Sequence, residues 1–242
     1  MIRFFAEPGD ITGGTISLSQ EDAEHIRVLR LRPSELFTVC DGAGNDYICR
    51  LGPAGQGKNI AEIIESRASK GEPSVFCIAY VAFAKGDRLE YTVQKSVELG
   101  AGKITLFPSE RCVSVPGDAS KKTTRLQKIA LETAKQSHRG RIPEVTALGS
   151  FAEAIQMAST ASLPLFLYEN EERVSLKQAL EQSGYLKTVS LVSGPEGGFE
   201  PFEAEYAQTA GMVTVSLGPR LLRCETAPVA ALAAVMFHTG NL

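Results

Sequence analysis

The stretch that decides the fold is Val189-Ser-Leu-Val-Ser-Gly-Pro-Glu-Gly-Gly-Phe199. An apolar run fit for a buried strand ends in three glycines within five positions, Gly194, Gly197 and Gly198. Pro201 then opens a helical stretch that closes at Gly211, and a second apolar run follows over Met212–Leu217. Proline in a first turn and glycine just past a last turn are ordinary helix punctuation. The stretch therefore reads as strand, loop, helix, strand. Working outward, further strands are expected at Val75–Phe83, Ile104–Pro108 and Leu163–Tyr168. Helices are expected from Asp87 to Gly100, over Ser120–Ser137, around 175–183 and 201–210, and over Ala227–Phe237. Asp87 is placed to cap the first of these, with Glu90 closing a capping box. Such alternation predicts an α/β unit with a mostly parallel sheet covered on both faces. Ligands of such sheets bind beyond the carboxyl ends of the strands.

The first 70 residues follow a different period. Short alternating runs at Thr15–Leu18, Leu36–Cys40, Asp46–Leu51 and Asn59–Ile64 are separated by Gly, Pro, Asn and Asp, which predicts a small β-rich domain. Gln20–Leu31 inside it, acidic early and basic late, reads as a short helix. Ser69-Lys-Gly-Glu-Pro73 is the natural boundary, dividing the chain into 1–72 and 73–242. The 242 residues are enough for two such units, and the 43% apolar and 22% charged fractions are those of a globular chain. No apolar run reaches the length of a membrane span, no signal-peptide pattern opens the chain, and five scattered cysteines form no C-x-x-C pair. The expectation is a cytoplasmic protein with free thiols.

The formal charge of −3 argues against a nucleic-acid partner until it is divided along the chain. Residues 1–72 carry 8 basic and 11 acidic side chains, 73–145 carry 12 and 7, and 146–242 carry 5 and 10. Most of the basic excess lies in Lys121, Lys122, Arg125, Lys128, Lys135, Arg139 and Arg141, which face only Glu132. A charge run of this kind is commonly a solvated helix face.

Several familiar chemistries lack their residues. Gly52-Pro-Ala-Gly-Gln-Gly-Lys-Asn59 has P-loop glycine and lysine spacing, but Asn59 replaces the magnesium-binding hydroxyl and no helix follows, so a hairpin loop is expected. His25, His138 and His238 lie far apart with no cysteine at ligand spacing, so no metal site is expected. No serine occupies a G-x-S-x-G elbow, and neither Cys112 nor Cys224 has a histidine near it in sequence. What stands out is the glycine loop already quoted, and a second loop, Leu217-Gly-Pro-Arg-Leu-Leu-Arg-Cys-Glu-Thr-Ala227, between a strand and the alanine-rich last helix. That helix is apolar on nearly all sides and must be covered in the core or by another subunit. Charges set directly before it are not ordinary surface charges.

These two loops resemble the signatures of the RsmE family, bacterial 16S ribosomal RNA uridine-N3 methyltransferases of the SPOUT superfamily. The resemblance continues through His25-Ile-Arg-Val-Leu-Arg30, Gln94-Lys-Ser-Val-Glu-Leu-Gly100, Ser109-Glu-Arg-Cys112, Gln136-Ser-His-Arg139 and Pro143. It implies an N-terminal PUA-like β-barrel that binds RNA, a methyltransferase domain with a C-terminal trefoil knot, S-adenosylmethionine as cofactor, no metal, and a homodimer acting on the small ribosomal subunit. Two positions depart from the family: Cys224 stands where threonine is common, and Lys135 where many members are acidic.

By that resemblance Leu167, Gly194, Pro195, Glu196, Gly197 and Gly198 hold the cofactor, together with Leu217, Gly218, Pro219 and Leu222. Methylating uracil N3 requires an unpaired base, loss of the imide proton and in-line approach to the methyl group. Arg223 or Arg220 is expected to stabilise the resulting anion, and Glu225 and Glu196 are the candidate proton acceptors. With RNA as substrate, the charge run reads differently. Lys121, Lys122, Arg125, Lys128 and Arg139 become candidate phosphate contacts, joined by Arg3, Arg27, Arg30 and Arg32 of the first domain.

Overall fold

A computed structural model describes residues 2–52 and 59–242. The Gly52–Asn59 hairpin expected from sequence thus falls, over 53–58, outside the described residues. The chain divides into two compact units, Met1–Glu72 with Ala134–Ile142, and Pro73–Thr133 with Pro143–Leu242.

The first unit is built from β1 (Arg3–Phe5), β2 (Ile11–Thr12), β3 (Thr15–Ser17), α1 (Gln20–Val28), β4 (Phe37–Cys40), β5 (Asn45–Leu51) and β6 (Ile60–Ala68). Its strands form one six-stranded sheet in the order β1-β4-β5-β6-β3-β2, antiparallel except for the β1–β4 pair. Alternation along these strands sends Phe4, Ile16, Phe37, Val39, Cys49 and Ala61 to one buried core, closed by Ile26 of α1. Ser19 caps α1 by accepting the Asp22 N–H, and the helix ends as Arg30 turns to φ +53°. The three-residue β1 and two-residue β2 were not predicted, being too short to show a period.

The second unit follows in the order β7 (Phe76–Ala82), α2 (Arg88–Glu98), β8 (Lys103–Phe107), α3 (Ser120–Gln136), β9 (Glu144–Ala147), α4 (Phe151–Ala158), β10 (Leu163–Leu167), α5 (Leu176–Gln182), β11 (Thr188–Ser193), α6 (Pro201–Thr209), β12 (Val213–Val215) and α7 (Thr226–His238). Its sheet runs β12-β10-β11-β7-β8-β9 and every pair is parallel, as the strand–helix alternation predicted. β9 and α4 were not foreseen. The expected punctuation is found at α6, with Pro201 in its first turn and Gly211 just past its end, and Glu203 on the third helical position also accepts the Glu200 N–H, whereas the expected cap fails at α2. Asp87 makes no side-chain cap because its φ of −90° and ψ of 0° depart from the extended conformation that aims an N-cap oxygen at the following amides.

The core of this unit is aromatic on one side of the sheet. Phe166 of β10 and Phe199 stack with ring centroids 4.3 Å apart, and Phe151 of α4 packs against both. On the other side, α7 buries Pro228, Ala231, Leu232, Val235 and Met236, while Phe237 is exposed.

Candidate functional site

Because every strand of the second sheet points the same way, the loops after β7, β8, β10, β11 and β12 leave from one edge. The chain runs from β7 to β8 in one direction, whereas it leaves β11 for β12 in the other. The neighbours β11 and β7 therefore form the switch point at which open parallel sheets present a crevice. The glycine loop follows β11 there.

Its geometry needs glycine at two positions for different reasons. Gly198 has φ +70°, and a carboxylate oxygen of Glu169 occupies the place where its Cβ would lie. Gly194 has an ordinary φ, but a Cβ would meet the Phe199 ring at 3.1 Å. Between them the Gly198 N–H donates to the Pro195 carbonyl at 3.0 Å, closing a tight turn over a buried Pro195. At Gly197 a Cβ would meet Arg111 Cβ at 3.0 Å, so each of the three glycines lets a neighbouring side chain approach the loop backbone closely at the sheet edge.

The second loop begins after β12. Val215 and Ser216 are tied to the segment after β10, since the Tyr168 N–H donates to the Val215 carbonyl and the Ser216 N–H to the Val174 carbonyl. That segment is itself fixed by Glu171, whose carboxylate accepts the Thr214 hydroxyl at 2.7 Å and the Arg173 and Val174 amides. The Thr214 bond, opposed by burial, holds Glu171 below the usual carboxylate range. Leu167 is buried at the end of β10, and Leu217 and Leu222 are half-buried. Gly218 turns at φ +103°, with Pro219 exposed beside it. The Arg223 carbonyl accepts the Thr226 and Ala227 amides and so opens α7.

Two arginines that sequence reasoning passed over grip the glycine loop. Arg88, first residue of α2, donates Nη1 to Glu196 Oε1 at 3.1 Å and sets Nε 3.7 Å from Glu225 Oε2. Glu196 Oε1 also accepts the Lys85 amide at 2.8 Å. Arg111, in the loop after β8, donates to the Gly197 carbonyl at 3.0 Å and to Glu200 at 2.7 Å. Arg111 lies in the Ser109–Cys112 stretch that carries part of the resemblance and Arg88 in none, but the role of each was hidden because its partners lie 86 to 137 residues further along the chain.

The structure thus joins Glu196 and Glu225 through Arg88. Burial works against the Glu225 charge, but its own backbone N–H, the Cys224 thiol and the nearby Arg88 and Arg223 outweigh it and hold the carboxyl below its ordinary value. Burial, reinforced by Glu225, pushes the Cys224 thiol up to about 12, so it stays protonated and donates to Glu225 Oε2 at 3.2 Å. Arg220 and Arg223 are exposed and make no ion pair among the described residues. Among the described residues no three His, Cys, Asp or Glu gather as a metal site, and no helix is long and apolar enough to cross a membrane.

The predicted phosphate contacts divide. Lys121, Arg125 and Lys128 are exposed on α3, with Arg125 2.7 Å from Glu90, and the half-buried Lys122 reaches the Ala84 carbonyl. Arg27, Arg30 and Arg32 are exposed around the end of α1. Arg3 and Arg139 do not belong with them. The Arg3 guanidinium is buried in a two-pronged pair with Asp46 at 2.8 and 2.9 Å, and Arg139 is buried in a similar pair with Glu72. Both are interior counter-charges of the first unit, where phosphate cannot reach them.

Comparison with known proteins agrees with this geometry. Residues 72–236 match the family described as RNA methyltransferase domain, and residues 18–64 match the RNA methyltransferase PUA domain. A Bacillus subtilis protein named ribosomal RNA small subunit methyltransferase E is 33% identical over 94% of this chain and 92% of its own length. The crystal structure of a ribosomal RNA small subunit methyltransferase E from Neisseria gonorrhoeae, bound to S-adenosylmethionine, superimposes with a TM-score of 0.84 at 33% identity, covering 98% of this chain and 97% of that one. A Legionella pneumophila protein, solved in complex with the same cofactor, gives a TM-score of 0.83 at 28% identity over 98% and 97% of the two chains. The two-unit chain, with its PUA-like first part and its parallel sheet carrying both signature loops, belongs to the ribosomal RNA small subunit methyltransferase E family.

Proposed function

We propose that this protein transfers a methyl group from S-adenosylmethionine to 16S ribosomal RNA of the small subunit, and that the acceptor is N3 of a uridine. The observation that carries the reading is that Arg88 joins the glycine loop after β11, at the switch point of a parallel sheet, to the loop before α7 that carries two exposed arginines. S-adenosylmethionine supplies a methyl group already activated on a sulfonium centre. The chain contributes position and electrostatics. Backbone groups of 194–198 and 217–222, with Leu167 as an apolar wall, hold the cofactor. The bonds that tie 168–176 to Val215 and Ser216 belong to a trefoil knot of the SPOUT kind, within a methyltransferase domain spanning 73–242. Residues 1–72 form a PUA-like barrel that binds RNA. A second copy covers the outer face of α7, making a homodimer, and a ribosomal substrate goes with a cytoplasmic location.

On the substrate side, Arg223 and Arg220 face solvent with their charges available to an incoming base. They stabilise the anion that forms over N3 and O4 as the imide proton leaves. Glu196 and Glu225 are the acceptors for that proton. Glu196 uses Oε1 for its bonds to Lys85 and Arg88, which leaves Oε2 to face substrate. The cations of α3 and of the α1 end hold the RNA backbone, which gives affinity and register, while RNA shape and the pocket choose the uridine.

The test is methyl transfer from isotopically labelled S-adenosylmethionine to small subunits from a strain lacking the modification, followed by mass analysis of the nucleosides. The expected product is 3-methyluridine. A ribose-methylated nucleoside, or no incorporation, would overturn the acceptor assignment.

A further inference from the structure

Arg88 occupies a position that helix electrostatics disfavours. The first turn of α2 carries the positive end of the helix dipole, where acidic residues are stabilising and a cation is not. Its guanidinium is turned away from the helix and toward two carboxylates from different loops, Glu196 after β11 and Glu225 before α7. It also donates to the Lys85 carbonyl at 3.1 Å, which fixes the direction of the side chain. The three partners are half-buried, with side-chain exposures of 34% for Arg88, 22% for Glu196 and 20% for Glu225, so water screens them only in part. Among the described residues, no other cation makes an ion pair with either carboxylate.

We propose that Arg88 is a positioning residue for methyl transfer, a single cation that ties the glycine loop to the loop before α7 by holding one carboxylate of each. This rests on reading those loops as the two walls of the cofactor site. Without Arg88 two anions face one another across that site. Glu196 keeps its amide donor from Lys85, and Glu225 keeps the Cys224 thiol and the field of the exposed Arg223. Neither the neutral donors nor a cation screened by water and paired with neither carboxylate cancels the repulsion, and the loops move apart.

The experiment compares full-length wild-type protein with Arg88→Met, Arg88→Lys and Arg88→Met combined with Glu225→Gln. Calorimetric titration gives the S-adenosylmethionine dissociation constant, and steady-state assays on small subunits give kcat and the KM for RNA. For Arg88→Met the dissociation constant rises about tenfold, equivalent to one lost ionic contact of ~1.4 kcal/mol. Turnover falls on the order of 10²-fold, the cost of an ångström-scale misplacement. The KM for RNA stays unchanged. Adding Glu225→Gln removes one of the two facing charges and recovers most of the cofactor affinity, which a packing role for Arg88 would not allow. Arg88→Lys keeps the charge but cannot fork between two carboxylates, so it falls between the extremes. Wild-type constants in either single variant, or no recovery in the double variant, overturn the proposal. Should Arg88→Met fail to fold, Arg88→Lys alone decides by the same criterion. If wild-type protein binds no S-adenosylmethionine, the assignment of the loops as a cofactor site falls instead.

Discussion

Arg223 and Arg3 carry the same charge and do opposite work. Arg223 is exposed beside a loop of the parallel sheet, where its charge is available to a substrate. In the role proposed for it, replacing Arg223 with Ala removes an electrostatic donor to the developing anion, so methyl transfer should fall by about 10²-fold or more, while the affinity for S-adenosylmethionine is little changed. Single-turnover kinetics alongside calorimetry checks both halves. Arg3 is buried, with both prongs on Asp46 and a further contact to Cys40 Sγ at 2.7 Å. Cutting it to Met strands an interior carboxylate and costs about 3 kcal/mol of folding stability by urea unfolding. The same pair sets an acid limit. Burial tends to raise the Asp46 value, but hydrogen bonds from Arg3 and Cys40 and the Arg3 charge bring it below the ordinary 3.8. A carboxyl depressed on folding stabilises fully above its unfolded value, and that stability drains away as pH falls through it and below. Unfolding free energies measured at about pH 5 and about pH 3 should therefore drop more steeply in wild type than in Asp46→Asn, and parallel slopes would show that the pair contributes no acid limit. The sequence placed Arg223 in a signature loop by resemblance and Arg3 among the phosphate contacts by its charge, and only the fold shows that Arg3 meets a carboxylate inside.

At the level of elements, the legible parts were those long enough to show a period or punctuated by glycine and proline. The helix from Pro201 to Thr209 was bounded by Pro201 and Gly211, and the parallel sheet followed from alternation. The elements that escaped, such as β1, β2, β9 and α4, span two to eight residues. In the candidate site, the glycines were visible as a cluster, whereas the bracing roles of Arg88 and Arg111 were not, because their partners come from loops distant in sequence. Gly198 shows what the cluster costs to alter. Alanine there must adopt φ +70° and also displace the Glu169 carboxylate from the space its methyl needs. A strained backbone of this kind costs about 1–3 kcal/mol, and the loop relieves it by opening rather than by unfolding the sheet. Gly198→Ala should therefore weaken S-adenosylmethionine binding by tenfold or more, since ~1.4 kcal/mol is one decade. The thermal midpoint should change by only a few degrees. Gly218 makes a control for backbone strain without crowding, for it shares a positive φ of +103° but has no atom within 4 Å of a built Cβ.

For the whole molecule, the net charge of −3 describes no part of the surface that meets RNA. Segmenting the sequence located the basic excess between Lys121 and Arg141, and the structure takes Arg139 out of that run and Arg3 out of the first domain's set by burying both against carboxylates. What is left is Lys121, Lys122, Arg125 and Lys128 on one helix and Arg27, Arg30 and Arg32 at the end of another. Arg125 already shares its charge with Glu90, and Lys122 with a carbonyl, so their weight on phosphate is reduced. Counting about five effective phosphate contacts, the logarithm of the RNA association constant should fall against the logarithm of salt with a slope of roughly −4, at ~0.7–0.9 per contact. Lys121→Ala and Lys128→Ala should each flatten that slope by about one and weaken binding uniformly across RNA sequences. Arg3→Lys keeps a buried cation opposite Asp46 and should leave the slope where it is, lowering only stability. Filter binding of a small-subunit RNA fragment across a salt series separates the two groups. A slope near zero in wild type, or a change on replacing Arg3 as large as that on replacing Lys128, would mean that RNA is held by some other face of the protein.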